Sequence, residues 1–400
     1  MAKVDVIVVG AGLAGSMTAA LLGRQGVQVL LLEQATFPRS KICGEGLMPA
    51  GAEILRKHGL LDDLKLKGAR PFSGIGFHLP GDLNLQLNFL EVSPGACGWV
   101  VPRLSLDERI ALFAAAQPGV KLYQGFQVRS TQTDKEQAEV TGWYEGKPTT
   151  HTARLLVGAD GIRSRFHRDF GIRRRQQRSS RFGLSAHYTD LQGIRDRVEV
   201  HCSKGGEAFV APLGEGAARI TLLLSGGVRR QGQAELSGYY FANLKRFPRL
   251  VARLRSPFPQ QPVESTGGVS LDVSRCHARR MLLVGDAAGA VDPITGQGMT
   301  VALMDAETAS EFLLSRLPQD RLSEDDLSPY TTRRLGYFNP AVGLARLVLF
   351  MVQHPFVARR AMKVLSRNPA LRERTIRAVS QVSAAHALSS RDQWRLFLGI

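Results

Sequence analysis

The chain has 400 residues, 44% of them hydrophobic and 22% charged, an ordinary balance for a globular protein long enough to bury one large core or two. Its formal charge of +17 suggests nucleic acid first, but no nucleic-acid-reading module occurs and aromatics are not interleaved with the arginines, so no nucleic-acid partner is expected. No apolar run approaches the ~18–20 residues that span a bilayer, the N-terminus lacks the order of a signal peptide, and Cys43, Cys97, Cys202 and Cys276 show neither CxxC pairing nor metal spacing, which sets a cytoplasmic, metal-free protein as the expectation.

The chain opens on "KVDVIVVG", a β-branched run of the kind that forms a strand buried on both faces. It enters Gly10-Ala11-Gly12-Leu13-Ala14-Gly15, after which "SMTAALLGRQG" carries apolar residues at helical spacing. In a dinucleotide cradle the three glycines allow a tight turn, a close approach of backbone to pyrophosphate, and close packing of helix on strand. The phosphates would lie at the helix N-terminus, among free N–H groups. A second strand, "VQVLLLE", ends on Glu33, followed by Gln34, where an acid can hold a ribose hydroxyl pair. Glu33 favours a free 2′-hydroxyl, hence FAD or NAD over NADP.

Next comes the loop "FPRSKICGEGLMPAG", residues 37–51, and then "FSGIGFHLPGDLNLQLNFL" at 72–90, whose alternation around Pro-Gly predicts a strand pair. "VPRLSLDERI" contains Arg103, and "LLVGADGIRSRF" at 155–166 carries Asp160 and Gly161. A basic run fills 163–181, and the segment 180–272 is strand-rich. "RRMLLVGDAAGAVDPITGQGMTVAL", residues 279–303, reads again as strand, turn and helix, with Asp286 after the glycine. A carboxylate at a strand end suits the hydroxyls of a polyol. Pro293 redirects the chain, and Gly296-Gln297-Gly298-Met299 opens a helix whose positive end would stabilise charge on a reduced ring. Two such units suit FAD, which has an adenosine end and a ribityl-flavin end.

From 331 the texture becomes helical, and residues 331–400 hold 12 Lys and Arg against 2 acids. "NPAVGLARLVLFMVQHPFVARRAMKVLSRNP" and "LRERTIRAVSQVSAAHAL" predict basic amphipathic helices. The apolar run Ala341–Val352 is too short to span and is broken by Arg346. These helices are expected to cap the substrate cavity, and their composition is compatible with peripheral membrane contact.

The opening glycines, "LLVGADGIRSRF" and "VGDAAGAVDPITGQG", in that order, resemble the three fingerprints of FAD-dependent hydroxylases of the para-hydroxybenzoate hydroxylase type, whose wider superfamily includes geranylgeranyl reductases and flavin-dependent halogenases. The resemblance spans about the first 330 residues in scattered blocks. It implies a doubly wound α/β FAD-binding domain (1–70, 97–175 and 273–330), an inserted mainly antiparallel β-sheet substrate domain (71–96 and 176–272), and the C-terminal helical segment 331–400. It implies that Arg103 approaches the FAD and that Asp160 and Gly161 serve FAD and a visiting NAD(P)H. The usual Ser-x-x-Arg ending departs here to Ser164 and His167, with Arg163, Arg165 and Arg168 nearby. Lys41, Cys43 and Gly44 would run under the flavin, with Glu45 a candidate acid or base beside it; Pro293 and Gly296 would polarise the ring.

Trp99, Trp143 and Trp394 do not form the Trp-x-Trp of halogenases, and the aromatic stretch of prenyl reductases is reduced to Phe209 and Pro212. His78 and His187 fall in the strand-rich part and read equally as structural. The implied reaction is monooxygenation, with NAD(P)H and O₂, of an apolar aromatic or prenylated natural product through a flavin hydroperoxide, in the setting of secondary metabolism or antibiotic biosynthesis. The alternatives are a reductase saturating isoprenoid double bonds and a membrane-associated quinone-reducing flavoprotein.

Overall fold

A computed structural model describes residues 4–79, 83–176, 181–225, 233–256, 258–259, 261–380 and 388–398. The opening strand, Val4–Val9, lies inside a sheet ordered His277–Ala278, Met281–Leu283, Lys147–Gly158, Val4–Val9, Val29–Glu33 and Val120–Gln124. It is parallel to both neighbours, with Val6 opposite Leu155 on one side and Val29 on the other. Val6, Ile7 and Val8 are fully buried, each removal from water contributing roughly 1.5–3 kcal/mol. Helix Leu13–Arg24 packs against Gly298–Leu314 and Arg103–Ala115. Its small residues Ala14, Gly15 and Ser16 are buried, and that lets the backbone lie close to the first strand.

A second sheet runs Glu264–Gly267, Arg181–Tyr188, Ala218–Ser225, Gly206–Pro212, Arg197–Ser203, Gly74–Leu79 and Leu83–Asn88. Its pairings are antiparallel except that of Arg197–Ser203 with Gly74–Leu79. Side chains two apart share a face. Phe209, Ala211 and Leu223 therefore pack in one cluster with the C-terminal helices, while Ala208, Val210, Leu222 and Leu224 pack on the other face with helix Gln233–Leu244. The two strands expected in 72–90 are present; the Pro80-Gly81 turn lies outside the described residues.

The C-terminal helices are Glu324–Gln353, Pro355–Arg367, Pro369–Ser380 and Ser390–Leu398; residues 381–387 of the expected helix "LRERTIRAVSQVSAAHAL" lie outside the described residues. Ser323 and Asp326 form a reciprocal capping box at the start of Glu324–Gln353. The helix as a whole, at 30 residues, is long and apolar enough to cross a membrane by length and composition, beyond what the run Ala341–Val352 alone indicated. In the fold it is tied inward: fully buried Arg334 pairs with fully buried Asp305 at 3.0 Å, and Tyr330 Oη donates to Leu283 O. The mixed α/β architecture, with a mainly antiparallel second sheet and a helical C-terminal segment, is that expected.

Candidate active site

The glycine loop is shaped by contacts that differ at each glycine. Gly10 has φ +103°, and a Cβ there would stand 2.4 Å from Ala159 O; at Gly15 it would stand 1.9 Å from Gly10 O. These two positions are closed by the protein itself. At Gly12 the nearest protein atom is Arg39 Nη2, 3.7 Å away. The helix it begins has no side-chain cap, so its first N–H groups and the missing Cβ leave a cradle for an anion. Glu33, 6% exposed, accepts from Ala11 N at 2.8 Å and Ala35 N at 3.0 Å. It therefore pins the loop; Gln34 is exposed beside it.

Two arginines share one carboxylate here. Asp107, one turn along its helix, receives both Nε and Nη2 of Arg103 at 2.8 Å and pairs with Arg39 Nη1 at 3.0 Å. Arg39 stands beside the phosphate cradle, and neither Arg39 nor Asp107 was singled out from the sequence. The i,i+4 spacing of Arg103 and Asp107 was the available signal.

A cleft opens from the glycine loop. Lys41, Cys43, Gly44 and Glu45 form one wall, and Gly285 to Gly298 another. A Cβ at Gly44 or Gly298 would meet no protein atom within 4 Å, so the space they leave belongs to the cleft. Lys41 Nζ lies 3.5 Å from Asp286 Oδ2. Pro293–Thr295 is a single 3₁₀ turn begun by Asp292, which accepts from Ile294 N; Gly296 follows at φ +67°. Met299 is buried and lines the cleft. Beyond this wall the sheet contributes Val198, Val200, Phe209 and Leu223, an apolar chamber.

Glu45 is a buried carboxyl at the edge of that chamber. It is 2% exposed and holds φ +59°, a left-handed backbone that non-glycine residues adopt at a cost of order 1–3 kcal/mol. Its Oε1 accepts from Arg103 N at 3.1 Å and Arg219 Nη1 at 2.9 Å, whereas buried Oε2 has no partner. Burial raises its pKa against the pull of Arg219 and the Arg103 backbone. Arg219 also reaches Ser185 and Glu264.

Other sequence candidates are placed differently. Asp160 turns into its own loop, accepting from Arg165 N at 2.9 Å. His167, at the spacing of the usual arginine, is buried and contacts Ala287 O at 2.7 Å, tying this loop to the Asp286 turn. Gln297 points away from the cleft and donates to Ala378 O and Val379 O of the C-terminal helices. His78 stacks on His201 and lines a separate cavity; its pKa is lowered by burial and by His201. His187 lies 3.4 Å from Arg219. Among the described residues, one group could hold a metal by distance, His78, Glu199 and His201. There Arg253 occupies both Glu199 oxygens, at 2.6 and 3.0 Å.

The comparisons agree with this geometry. A family model described as FAD binding domain matches residues 3–342. Menaquinone reductase of Mycobacterium tuberculosis (strain ATCC 25618 / H37Rv) is 32% identical over 335 residues, 78% of this chain and 77% of that protein. Digeranylgeranylglycerophospholipid reductase 1 of Methanopyrus kandleri is 30% identical over 361 residues, 87% and 90%. Kynurenine 3-monooxygenase of Salinispora arenicola is 31% identical over 340 residues, 77% and 72%. The chain belongs to the FAD binding domain family and is an FAD-dependent oxidoreductase. That family is broader than the hydroxylase type that the fingerprints resemble, since reductases and a monooxygenase both fall within it.

Proposed function

We propose that this oxidoreductase adds hydrogen across a carbon–carbon double bond of an apolar, isoprenoid-bearing substrate, with NAD(P)H as electron source. The observation that carries the reading is Glu45, a buried carboxyl with a raised pKa and one unpartnered oxygen at the wall of an apolar chamber. Saturating an alkene requires a hydride on one carbon and a proton on its neighbour; reduced FAD, when bound, supplies the hydride. Glu45 holds the proton at Oε2 and delivers it to the second carbon, while Arg103 N and Arg219 fix Oε1 and so the direction of transfer. Val200, Phe209 and Leu223 keep water from the reacting carbons. Two of the relatives are named as reductases, one of menaquinone and one of a digeranylgeranylglycerophospholipid.

In this reading Gly12, Leu13 and Ala14 would hold the pyrophosphate with Arg39, Gly10 and Gly15 set the turn and the close packing of the loop, and Glu33 with Gln34 would face the adenosine ribose. Arg103, Lys41, Cys43, Gly44 and Asp286 border the ribityl-flavin half. The turn from Pro293 through Gly296 to Gly298 and Met299 presents uncapped N–H groups to the ring. Asp160 and Gly161 act by shaping the loop. The domain division proposed is the one set out from the sequence, in which the substrate sheet would interrupt the FAD-binding part.

The second reading is monooxygenation with O₂, favoured by the order of the three fingerprints and by the likeness to kynurenine 3-monooxygenase; the same dry chamber suits it. Anaerobic incubation of the FAD-loaded protein with NAD(P)H and geranylgeranylated lipids or menaquinone, followed by mass spectrometry, tests the first reading. A product heavier by two hydrogens per double bond supports it. A product that forms only in air and carries oxygen from ¹⁸O₂ selects the second.

A further inference from the structure

Some basic residues of the C-terminal helices are paired and others are not. Arg346, Arg372, Arg374 and Arg377 pair with Asp272, Glu91, Asp392 and Glu373. Arg359, Arg360, Lys363 and Arg367 are exposed along one side of helix Pro355–Arg367, and none is in an ion pair among the described residues. Their three- and four-residue spacing keeps them on one face with Phe356, which is 67% exposed and lies under Arg360 at 4.6 Å. The neighbouring helix Ser390–Leu398 adds Trp394, 61% exposed, Phe397 and Leu398. Trp394 and Phe397 meet edge to face at 5.6 Å, and Phe397 lies 5.3 Å from Phe350. Exposed aromatic surface is unfavourable in water, and set beside unpaired cations it suits an anionic lipid headgroup boundary.

Behind this face is a small apolar cavity between the second sheet and the same helices, walled by Phe77, Leu87, Leu344, Met351, Leu365 and Leu396. Ile75, two residues before Phe77 on the same strand, lines the flavin chamber. The two apolar spaces therefore lie along one face of one sheet.

We infer that the face formed by helices Pro355–Arg367 and Ser390–Leu398 docks on an anionic lipid bilayer and admits a substrate's hydrocarbon tail to the cavity behind it. The charge selects the partner: five exposed basic residues, counting Arg391, lie on the two helices that carry the exposed aromatics, and none is in an ion pair among the described residues. The inference rests on the apolar-substrate reading above, and its test is separate from it.

The test is co-sedimentation of the FAD-loaded full chain with vesicles of phosphatidylcholine alone or with about 30 mol% phosphatidylglycerol. Binding to the anionic vesicles, weakened by salt, is expected, together with a blue shift of tryptophan emission that disappears in Trp394→Phe. The triple variant Arg359→Glu, Arg360→Glu, Lys363→Glu should lower the bound fraction by about tenfold or more, with FAD content and the rate of flavin reduction by NAD(P)H unchanged. Absence of vesicle binding in the parent chain overturns the inference. So does binding indifferent to charge reversal in a variant of unchanged FAD content, and so does a dimer in sedimentation equilibrium that hides Trp394 from a soluble quencher. Vesicle binding without any alkene reduction would leave this surface standing and remove the reaction proposed for the site.

Discussion

At the scale of single residues, the glycine loop separates two roles that a motif merges. Gly15→Ala puts a Cβ against Gly10 O and should destabilise the FAD-free protein, by about 1–3 kcal/mol in urea unfolding. Gly12→Ala meets no protein atom closer than 3.7 Å and should leave that stability unchanged while weakening FAD binding by roughly a hundredfold, because the new methyl enters the phosphate cradle. Glu45 gives a second residue-scale prediction. Glu45→Gln should lower kcat by about 10²-fold or more with FAD retained. Its raised pKa means that the proton is present below that value and lost as pH rises through it, so activity should fall on the alkaline side and Glu45→Gln should abolish that limb. Glu45 could be picked from its place in "KICGEG", but its left-handed backbone and unpartnered oxygen come from contacts with Arg103 and Arg219, 58 and 174 residues away. Arg39 escaped notice for the same reason, as its pairing with Asp107 bridges two segments.

At the scale of elements, period and punctuation carried most of the information. The buried run before Gly10, the second strand ending on Glu33 and the helix after Gly298 all stand where the sequence placed them. The order of the second sheet was not readable, since Gly74–Leu79 pairs in parallel with Arg197–Ser203 more than a hundred residues on. Nor was the inward tie of helix Glu324–Gln353, which depends on a buried pair between helices. Asp305 receives Arg334, Tyr337 Oη and Gly285 N, and so links that helix to the Asp286 turn. Removing the acid strands a buried guanidinium, so Asp305→Ala should cost about 3–5 kcal/mol. Arg334→Met should cost less, because burial already raises the Asp305 pKa and the carboxyl can take up a proton. Denaturant melts of the two variants give the comparison, and equal losses would contradict it.

For the whole molecule, charge is segregated as the sequence suggested, although most cations of the interior faces turn out to be paired. The cluster of Glu199 with His201 and Arg253 joins the second sheet to the segment that follows helix Gln233–Leu244. Burial alone would raise the Glu199 pKa, but hydrogen bonds from His201 and Arg253 bring it down to about 2. A carboxyl lowered by folding stabilises above its unfolded pKa and ceases to do so as pH falls towards 2. On the order of 3 kcal/mol should therefore be lost between about pH 5 and pH 2, and Glu199→Gln should flatten that part of the stability profile in pH-dependent unfolding. That a double bond of an apolar substrate takes up the electrons can be measured directly. The FAD-loaded protein is reduced without air, mixed with a geranylgeranylated lipid, and followed by flavin absorbance. Return of the oxidised spectrum in the absence of O₂, slowed by about 10²-fold in Glu45→Gln, is the predicted result. A flavin that stays reduced until O₂ is admitted, across substrates with and without isoprenoid chains, would contradict it.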